Sequence, residues 1–264
     1  MNYKDICEQT IELARKTGDF IRSERKLFSQ QKVTVKGKHN FVTNVDKQSE
    51  LQLVEGLSKI VPGSGFIAEE GTASHNNETY KWIIDPLDGT TNFIHGAPPY
   101  SISIALMEDE RIVVGVVYEI TLDECFYAWE GGKSYLNGEE ISVSDTESVS
   151  ESLIATGFPY HDYDRLKQFM KTLDHFFHNS HGVRRLGSAA ADLAYVACGR
   201  YDAFYEYGLH AWDVAAGAFI IQQAGGNVSD FNGGNNYLFG EDIVACTNKA
   251  FEEFQGVINQ LMNG

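Results

Sequence analysis

The stretch WIIDPLDGTTNF, Trp82 to Phe93, ends an apolar run with two aspartates three residues apart, a proline between them and then Gly-Thr-Thr. Taken by itself, the apolar WII is a strand, and Asp85 emerges at its end, where functional residues of layered folds gather. Pro86 restricts the backbone and removes a donor, so the turn is rigid. That turn can present the Asp85 carboxylate, the Leu87 carbonyl and the Asp88 carboxylate to one point, a set of hard oxygen ligands of the kind magnesium takes. Gly89 lets backbone approach a ligand closely. If a helix or tight turn starts there, the hydroxyls and N–H groups of Thr90 and Thr91 form a phosphate cradle. The same D-P-x-D-G pattern is also an ordinary surface turn, so the stretch alone leaves both readings open.

Two other places carry carboxylates beside apolar elements. Glu69 and Glu70 follow directly on GFIA, and Asp213 opens a helix through Trp212-Asp213-Val214-Ala215-Ala216-Gly217, whose small residues permit close packing. In the first turn of a helix Asp213 offsets the dipole, a matter of a few tenths to about 1 kcal/mol; in a cleft it supplies another oxygen. With Asp46, five carboxylates (Asp46, Glu69, Asp85, Asp88 and Asp213) would meet near one point. Without cations such a group repels itself and any anionic substrate; with two or three Mg²⁺ the local sign inverts. These five are either metal-loaded or not a cluster.

The elements that must position them follow from hydrophobic period. Ile6/Cys7, Leu13/Ala14 and Phe20/Ile21 recur every seven residues, one stripe on a first helix. A second helix is expected from about Thr43, where Thr43-x-x-Asp46 resembles a capping box. Leu51, Val54 and Leu57 are its expected face and Pro62-Gly63 its stop. Phe66–Ala68 and Lys81–Ile84 read as strands, followed by a meander over 101–107, 111–118 and 124–129, with Asn137-Gly138 as a hairpin turn. From about residue 150 strands alternate with helices: SLIAT, a helix through Asp164–Phe177, VRRL, the Ala-rich SAAADLAYVAC, YDAFYEY, a helix from about Trp212, IVACT and a last helix from Lys249. This order predicts layered α/β packing in one domain over 1–264, with two packed halves of about 1–147 and 148–264.

Of 264 residues, 43% are hydrophobic and 22% charged, an ordinary globular balance that needs no disulfide or structural metal. A net charge of −16 disfavours direct nucleic-acid binding. Cys7, Cys125, Cys198 and Cys246 are scattered without a C-x-x-C pair, against zinc or a disulfide framework. The longest apolar run, Val214 to Ile221, falls far short of the ~20 residues of a membrane span, and the N-terminus lacks a signal peptide's apolar core. The expectation is a cytoplasmic protein with reduced thiols.

The blocks FVTNVD (41–46), AEE (68–70), DPLDGTTNFIHG (85–96), YEYGLHAWD (205–213) and WDVAAG (212–217) resemble those of the inositol monophosphatase family of magnesium-dependent, lithium-sensitive phosphatases, over nearly the whole chain. The resemblance implies an α+β layered αβαβα sandwich, a homodimer, and two or three Mg²⁺ per site. Glu69, Asp85, Leu87 (through its carbonyl), Asp88 and Asp213 would be metal ligands, and Asp46 would hold a metal-bound water or a further ion. It further implies that Thr90 and Glu69 orient and deprotonate the attacking water, and that the N–H groups of Gly89 and Thr90 hold the phosphate. Glu206 would contact substrate hydroxyls, with Ser188 and Ala189 lining that side. The implied reaction is hydrolysis of myo-inositol 1-phosphate or a similar polyol phosphate. NADP 2′-phosphate, fructose 1,6-bisphosphate and 3′-phosphoadenosine nucleotides are the alternative substrates. A regulatory protein that binds a partner, as some bacterial relatives are implicated in doing, is the alternative of another class. Two positions depart from the family pattern: Asn40 where aspartate is usual, and Ala68 where glycine precedes the two glutamates.

Several lookalikes carry less. His175, His178 and His181 do not share one helical face, so a polar helix end is expected. DFNGGNN (230–236) has the wrong residues for a calcium loop at its fifth and sixth positions and reads as a glycine-rich turn. Neither a dinucleotide fingerprint nor a P-loop is present, and Arg184-Arg185 is too little for a nucleic-acid face.

Overall fold

In strand after strand, neighbouring side chains face different cores. Trp82 and Ile84 lie in one apolar cluster and Ile83 between them in a second; Ile154, Tyr205 and Val244 lie in a third, while Ala155, Phe204 and Ala245 belong to the second. This period of two means that both sheets are covered on both faces. The computed structural model describes residues 1–27, 44–74, 78–159 and 163–264 in full, and only the backbone of the antiparallel pair β1 (Thr34–Gly37) and β2 (Asn40–Val42).

The large sheet has seven strands: β3 (Gly65–Ala68), β4 (Tyr80–Asp88), β5 (Ser101–Glu108), β6 (Arg111–Glu119), β7 (Glu124–Trp129), β8 (Ser134–Leu136) and β9 (Glu139–Ile141), in that spatial order. Only β3–β4 is parallel, so the expected meander is present. Asn137 and Gly138 both take positive φ between β8 and β9, as a tight hairpin demands. The small sheet is ordered β11-β10-β12-β14-β13, from β10 (Leu153–Thr156), β11 (Gly182–Arg184), β12 (Ala203–Tyr207), β13 (Asn227–Ser229) and β14 (Asp242–Cys246).

Helices α1 (Tyr3–Leu27) and α2 (Asn44–Ile60) cover the outer face of the large sheet. Between the sheets lie α5 (Ala189–Ala197) and α6 (Ala211–Gln223), and α4 (Leu166–Asn179) and α7 (Phe251–Asn263) cover the small sheet from outside. The result is the layered αβαβα sandwich. A Cβ on Gly217 of α6 would lie 2.5 Å from Leu193 Cβ of α5, so the small residues of WDVAAG do permit the close helix packing of the central layer.

Two local expectations are corrected. Leu51 is 55% exposed, and the buried stripe of α2 runs through Val45, Ser49, Leu53 and Leu57, because α2 packs on both α1 and β4 and its apolar face is rotated accordingly. Strand β4 does not stop at Ile84: it continues to Asp88, pairing Asp85 with Ser103 and Asp88 with Ser101 across an irregularity in register. Pro86 therefore sits in a bulge within a strand, where its missing N–H costs no ladder bond, and not in a terminal turn. The proposed cap Thr43 lies outside the described residues. Positions 230–236 form the expected turn, with Asp230 accepting from the N–H groups of Asn232, Gly234 and Asn236.

Candidate active site

The bulge in β4 brings Asp85 and Asp88 to the same side of the strand end, and the N-terminus of α6 delivers Asp213 to them. One oxygen from each of the three lies within 4.8 Å of the others. Each carboxylate is held by its own contacts. Asp85 Oδ1 accepts from Leu87 N–H at 2.8 Å. Asp213 Oδ2 accepts from His210 N–H at 2.6 Å, half of a capping box at the start of α6. Asp88 Oδ2 accepts from Ser188 Oγ at 2.6 Å and from Ala190 N–H at 2.8 Å, at the N-terminus of α5.

Glu69 adjoins this group from just past the end of β3, near enough to Asp85 for the two carboxyls to share a proton. Its turn is fixed by Glu50, a fully buried carboxylate of α2 that accepts from Glu70 N–H and Thr72 N–H, both at 2.7 Å. Asp46, buried on the first turn of α2, accepts from Thr90 Oγ at 3.0 Å; the same hydroxyl lies 3.1 Å from the Leu87 carbonyl. Gly89 has φ +89° at the head of α3 (Thr90–His95), and a Cβ there would meet the carbonyls of Gly187 and Pro99 at 3.2 Å, so glycine satisfies both the conformation and the space. Asn92 ties α3 to the loop before α5 by donating to Pro99 O and Leu186 O, both at 2.8 Å. The first N–H groups of α3 have no acceptor within the helix.

Electrostatics marks the cluster as strained. Burial, then repulsion from Asp213, Glu70 and Asp46, pushes the Glu69 carboxyl up to about 8. Burial and the charge of Asp88 push Asp213 up to about 7. Asp85 is raised well above its ordinary range by burial and by Glu69, Asp88 and Asp213. Asp88 is raised by burial against the lowering effect of its Ser188 and backbone donors. A divalent, oxygen-seeking cation is the partner that would relieve all four, so this donor set fits a hard metal ion.

These residues open onto a cavity of about 430 Å³ that Glu206 also lines. Glu206 stands on β12, and the register Thr156↔Tyr205 sets Gly157 beside it. A Cβ on Gly157 would lie 1.9 Å from Glu206 Oε1, so the carboxylate rests in space that only glycine leaves. Ser188 and Ala189 line the cavity, and the Ser188 hydroxyl is engaged with Asp88 and Ser101. The sequence reading overlooked Glu50, Ser101 and Gly157, and weighed Arg185 only as half of a basic pair. All act through contacts remote in the chain, and none sits in a block whose spacing announces chemistry. The Asn40 side chain lies outside the described residues.

The family model for the inositol monophosphatase family matches residues 2–262. The chain belongs to the inositol monophosphatase family. A protein named Nus factor SuhB from Pseudomonas aeruginosa is 41% identical over 244 residues, covering 90% of each chain. An inositol-1-monophosphatase from Mesorhizobium japonicum is 39% identical over 236 residues, covering 89% of each. Among solved structures, the Thermotoga maritima IMPase superposes with a TM-score of 0.89 at 33% identity, over 98% of both chains. The inositol monophosphatase from Anabaena gives 0.87 at 33%, over 99% of this chain and 98% of its own. Among the described residues no helix is long and apolar enough to cross a membrane.

Proposed function

We propose that the protein is a magnesium-dependent phosphomonoesterase acting on a small polyol phosphate, with myo-inositol 1-phosphate as the leading substrate. The observation that carries this reading is the convergence of Asp85, Asp88 and Asp213 within 4.8 Å, beside Glu69 and the head of α3. Glu69, Asp85, Asp88 and Asp213, with the Leu87 carbonyl, would hold the ions. Bound Mg²⁺ supplies Lewis acidity toward the phosphoryl oxygens and lowers the pKa of water. The N–H groups of Gly89 and Thr90 hold the phosphate. Thr90, steadied by Asp46 and Leu87, and Glu69 aim the attacking water and take its proton. Water attacks phosphorus in line, the P–O bond to the alcohol breaks, and no covalent enzyme intermediate forms. Glu206 accepts from hydroxyls of the alcohol, with Ser188 and Ala189 lining the cavity between.

The test is phosphate release from myo-inositol 1-phosphate, fructose 1,6-bisphosphate, NADP⁺ and 3′-phosphoadenosine 5′-phosphate, with magnesium and with chelator, beside Asp88→Asn. Magnesium-dependent release lost in the variant supports the reading, and the fastest substrate names the specificity. Folded wild type that releases nothing from any of them overturns it. A homodimer in the cytoplasm belongs to the same proposal, and sedimentation velocity checks the dimer. Lithium inhibition belongs to it too, and a lithium titration of the activity checks it.

A second reading rests on the names of relatives: several proteins 37–41% identical to this chain are called Nus factor SuhB. On that reading the chain is a regulatory partner of a protein complex, with the charge of −16 setting it against direct RNA contact. Capture of a stoichiometric partner from lysate, unaffected by ribonuclease, supports it.

A further inference from the structure

Strand β5 turns two serines toward the inner helices, and each stands opposite one aspartate of the site: Ser101 pairs with Asp88 and Ser103 with Asp85. Ile102 and Ile104 belong to the core on the other face of the sheet, whereas Ala105, in step with the serines, lies in the core shared with α5 and α6. Ser101 is fully buried and Ser103 is 1% exposed. A hydroxyl so deep in an apolar layer is costly unless it is bonded, and both are. Ser101 shares a hydrogen bond with Ser188 at the head of α5. Ser103 Oγ donates to the Trp212 carbonyl at 2.9 Å, at the head of α6 and next to Asp213.

Ser103 therefore joins the two elements that carry the facing aspartates. Its backbone is the register partner of Asp85, and its side chain holds the residue that precedes Asp213. The bonds of the carboxylates themselves are local: Asp85 to Leu87 N–H in its own bulge, and Asp213 to His210 N–H in its own cap. Such bonds orient each group on its element and do not fix strand against helix. The large sheet takes hold of α6 twice more. A Cβ on Gly115 of β6 would lie 2.9 Å from the Ala216 carbonyl, and Ser134 Oγ of β8 donates to the Ile220 carbonyl at 2.7 Å. Trp212, Ala216 and Ile220 stand four apart, one row along the helix. Ser103 grips this row at the end that faces the site.

We propose that Ser103 is a positioning residue whose bond to the Trp212 carbonyl sets the spacing of Asp85 and Asp213, and with it the geometry offered to a divalent cation. This rests on the metal-dependent phosphatase reading above and adds the device that tunes its metal preference. Magnesium demands near-ideal octahedral contacts at about 2.0–2.1 Å, whereas calcium accepts longer and less regular ones. A carboxylate pair held at fixed spacing favours the smaller ion, and a pair released from its brace loses that advantage.

The test is calorimetric titration with Mg²⁺ and with Ca²⁺, beside thermal unfolding in chelator, for wild type, Ser103→Ala, Ser103→Thr and Ser134→Ala. The readout is the ratio of the two dissociation constants. Ser103→Ala should weaken magnesium binding roughly 10-fold and calcium binding less than about 3-fold, which shifts the ratio toward calcium. Ser103→Thr keeps the hydroxyl and should return the ratio toward the wild-type value. Ser134→Ala removes the same kind of bond about 10 Å further along α6 from Asp213, so it should lower the melting temperature comparably and leave the ratio unchanged. If Ser103→Ala proves unfolded, Ser103→Cys, a weaker donor of similar size, is read by the same ratio. A ratio equal to wild type in the folded variant, or an equal shift in Ser134→Ala, overturns the positioning role and leaves the phosphatase reading standing. Wild type that binds neither ion overturns both.

Discussion

Asp88→Asn should make the metal-free protein more stable while removing its activity. Two unit charges within 4.8 Å of one another repel by at least about 3.5 kcal/mol at an effective dielectric of ~20. Asp213, with its carboxyl raised to about 7, is about half ionised at neutral pH, and burial and its charged neighbours also raise Asp85, so the repulsion relieved is about 1–2 kcal/mol. Asparagine keeps a carbonyl for Ser188 Oγ and Ala190 N–H, and turns its NH₂ toward the remaining carboxylates. At about 2–4 °C per kcal/mol for a chain of this size, the variant should melt roughly 2–8 °C above wild type in chelator. Magnesium reverses the order. At a hundredfold excess over its Kd it stabilises wild type by about 2.7 kcal/mol, whereas a variant with one ligand weakened gains much less. The assay is thermal unfolding of both proteins at pH 7, in chelator and in a magnesium titration. The signature is a crossover of the two melting curves. A variant that melts below wild type in chelator, with an unchanged magnesium shift, would refute the claim that Asp88 belongs to a repelling, metal-seeking cluster.

Four further outcomes follow from the same geometry. Gly157→Ala places a Cβ on the Glu206 carboxylate, so it should raise KM for myo-inositol 1-phosphate at least ~10-fold with a smaller change in kcat, and cost about 1–3 kcal/mol by overpacking; steady-state kinetics and urea unfolding check both. Ser188→Ala removes the hydroxyl that orients Asp88 and should weaken magnesium binding roughly 10-fold, read by calorimetric titration. Glu50→Ala strands the N–H groups of Glu70 and Thr72 and should cost about 2–4 kcal/mol, seen as a lower urea midpoint with an unchanged slope. For pH, the folded carboxyls of Glu69 and Asp213 are raised to about 8 and about 7, above their values in the unfolded chain. The folded protein then binds more protons than the unfolded one across that window, so metal-free stability should fall as pH rises from about 4.5 toward 8, and saturating magnesium should abolish the slope. Urea unfolding at pH 5 and pH 8, with and without chelator, reads this directly.

The chain itself dictates the parts of this site that are local. The spacing of Asp85, Pro86, Asp88 and Gly89 binds two carboxylates and a left-handed glycine to one strand end, and Asp213 three residues after His210 forms its own cap on α6. Such relations span a few bonds, so they survive in residue types and intervals, and the alternating strands and amphipathic helices follow from periods of 2 and 3.6 in the same way. Even so, Pro86 suggested a turn where the neighbouring strand β5 sustains a bulge, and Leu51 suggested a buried face that the packing of α2 on α1 and β4 rotates to solvent. Relations across the chain left no such trace. Ser188 meets Asp88 a hundred residues away, and Glu50 holds the turn of Glu69 from another helix. Gly157 makes room for Glu206 only because β10 and β12 run side by side in one register. Arg185 gains its setting from Phe158, itself braced by a helix of the outer layer. Each of these residue types is commonplace on its own. Its role exists only once two layers close on each other, because burial and contact are properties of the assembled core and not of any interval along the chain.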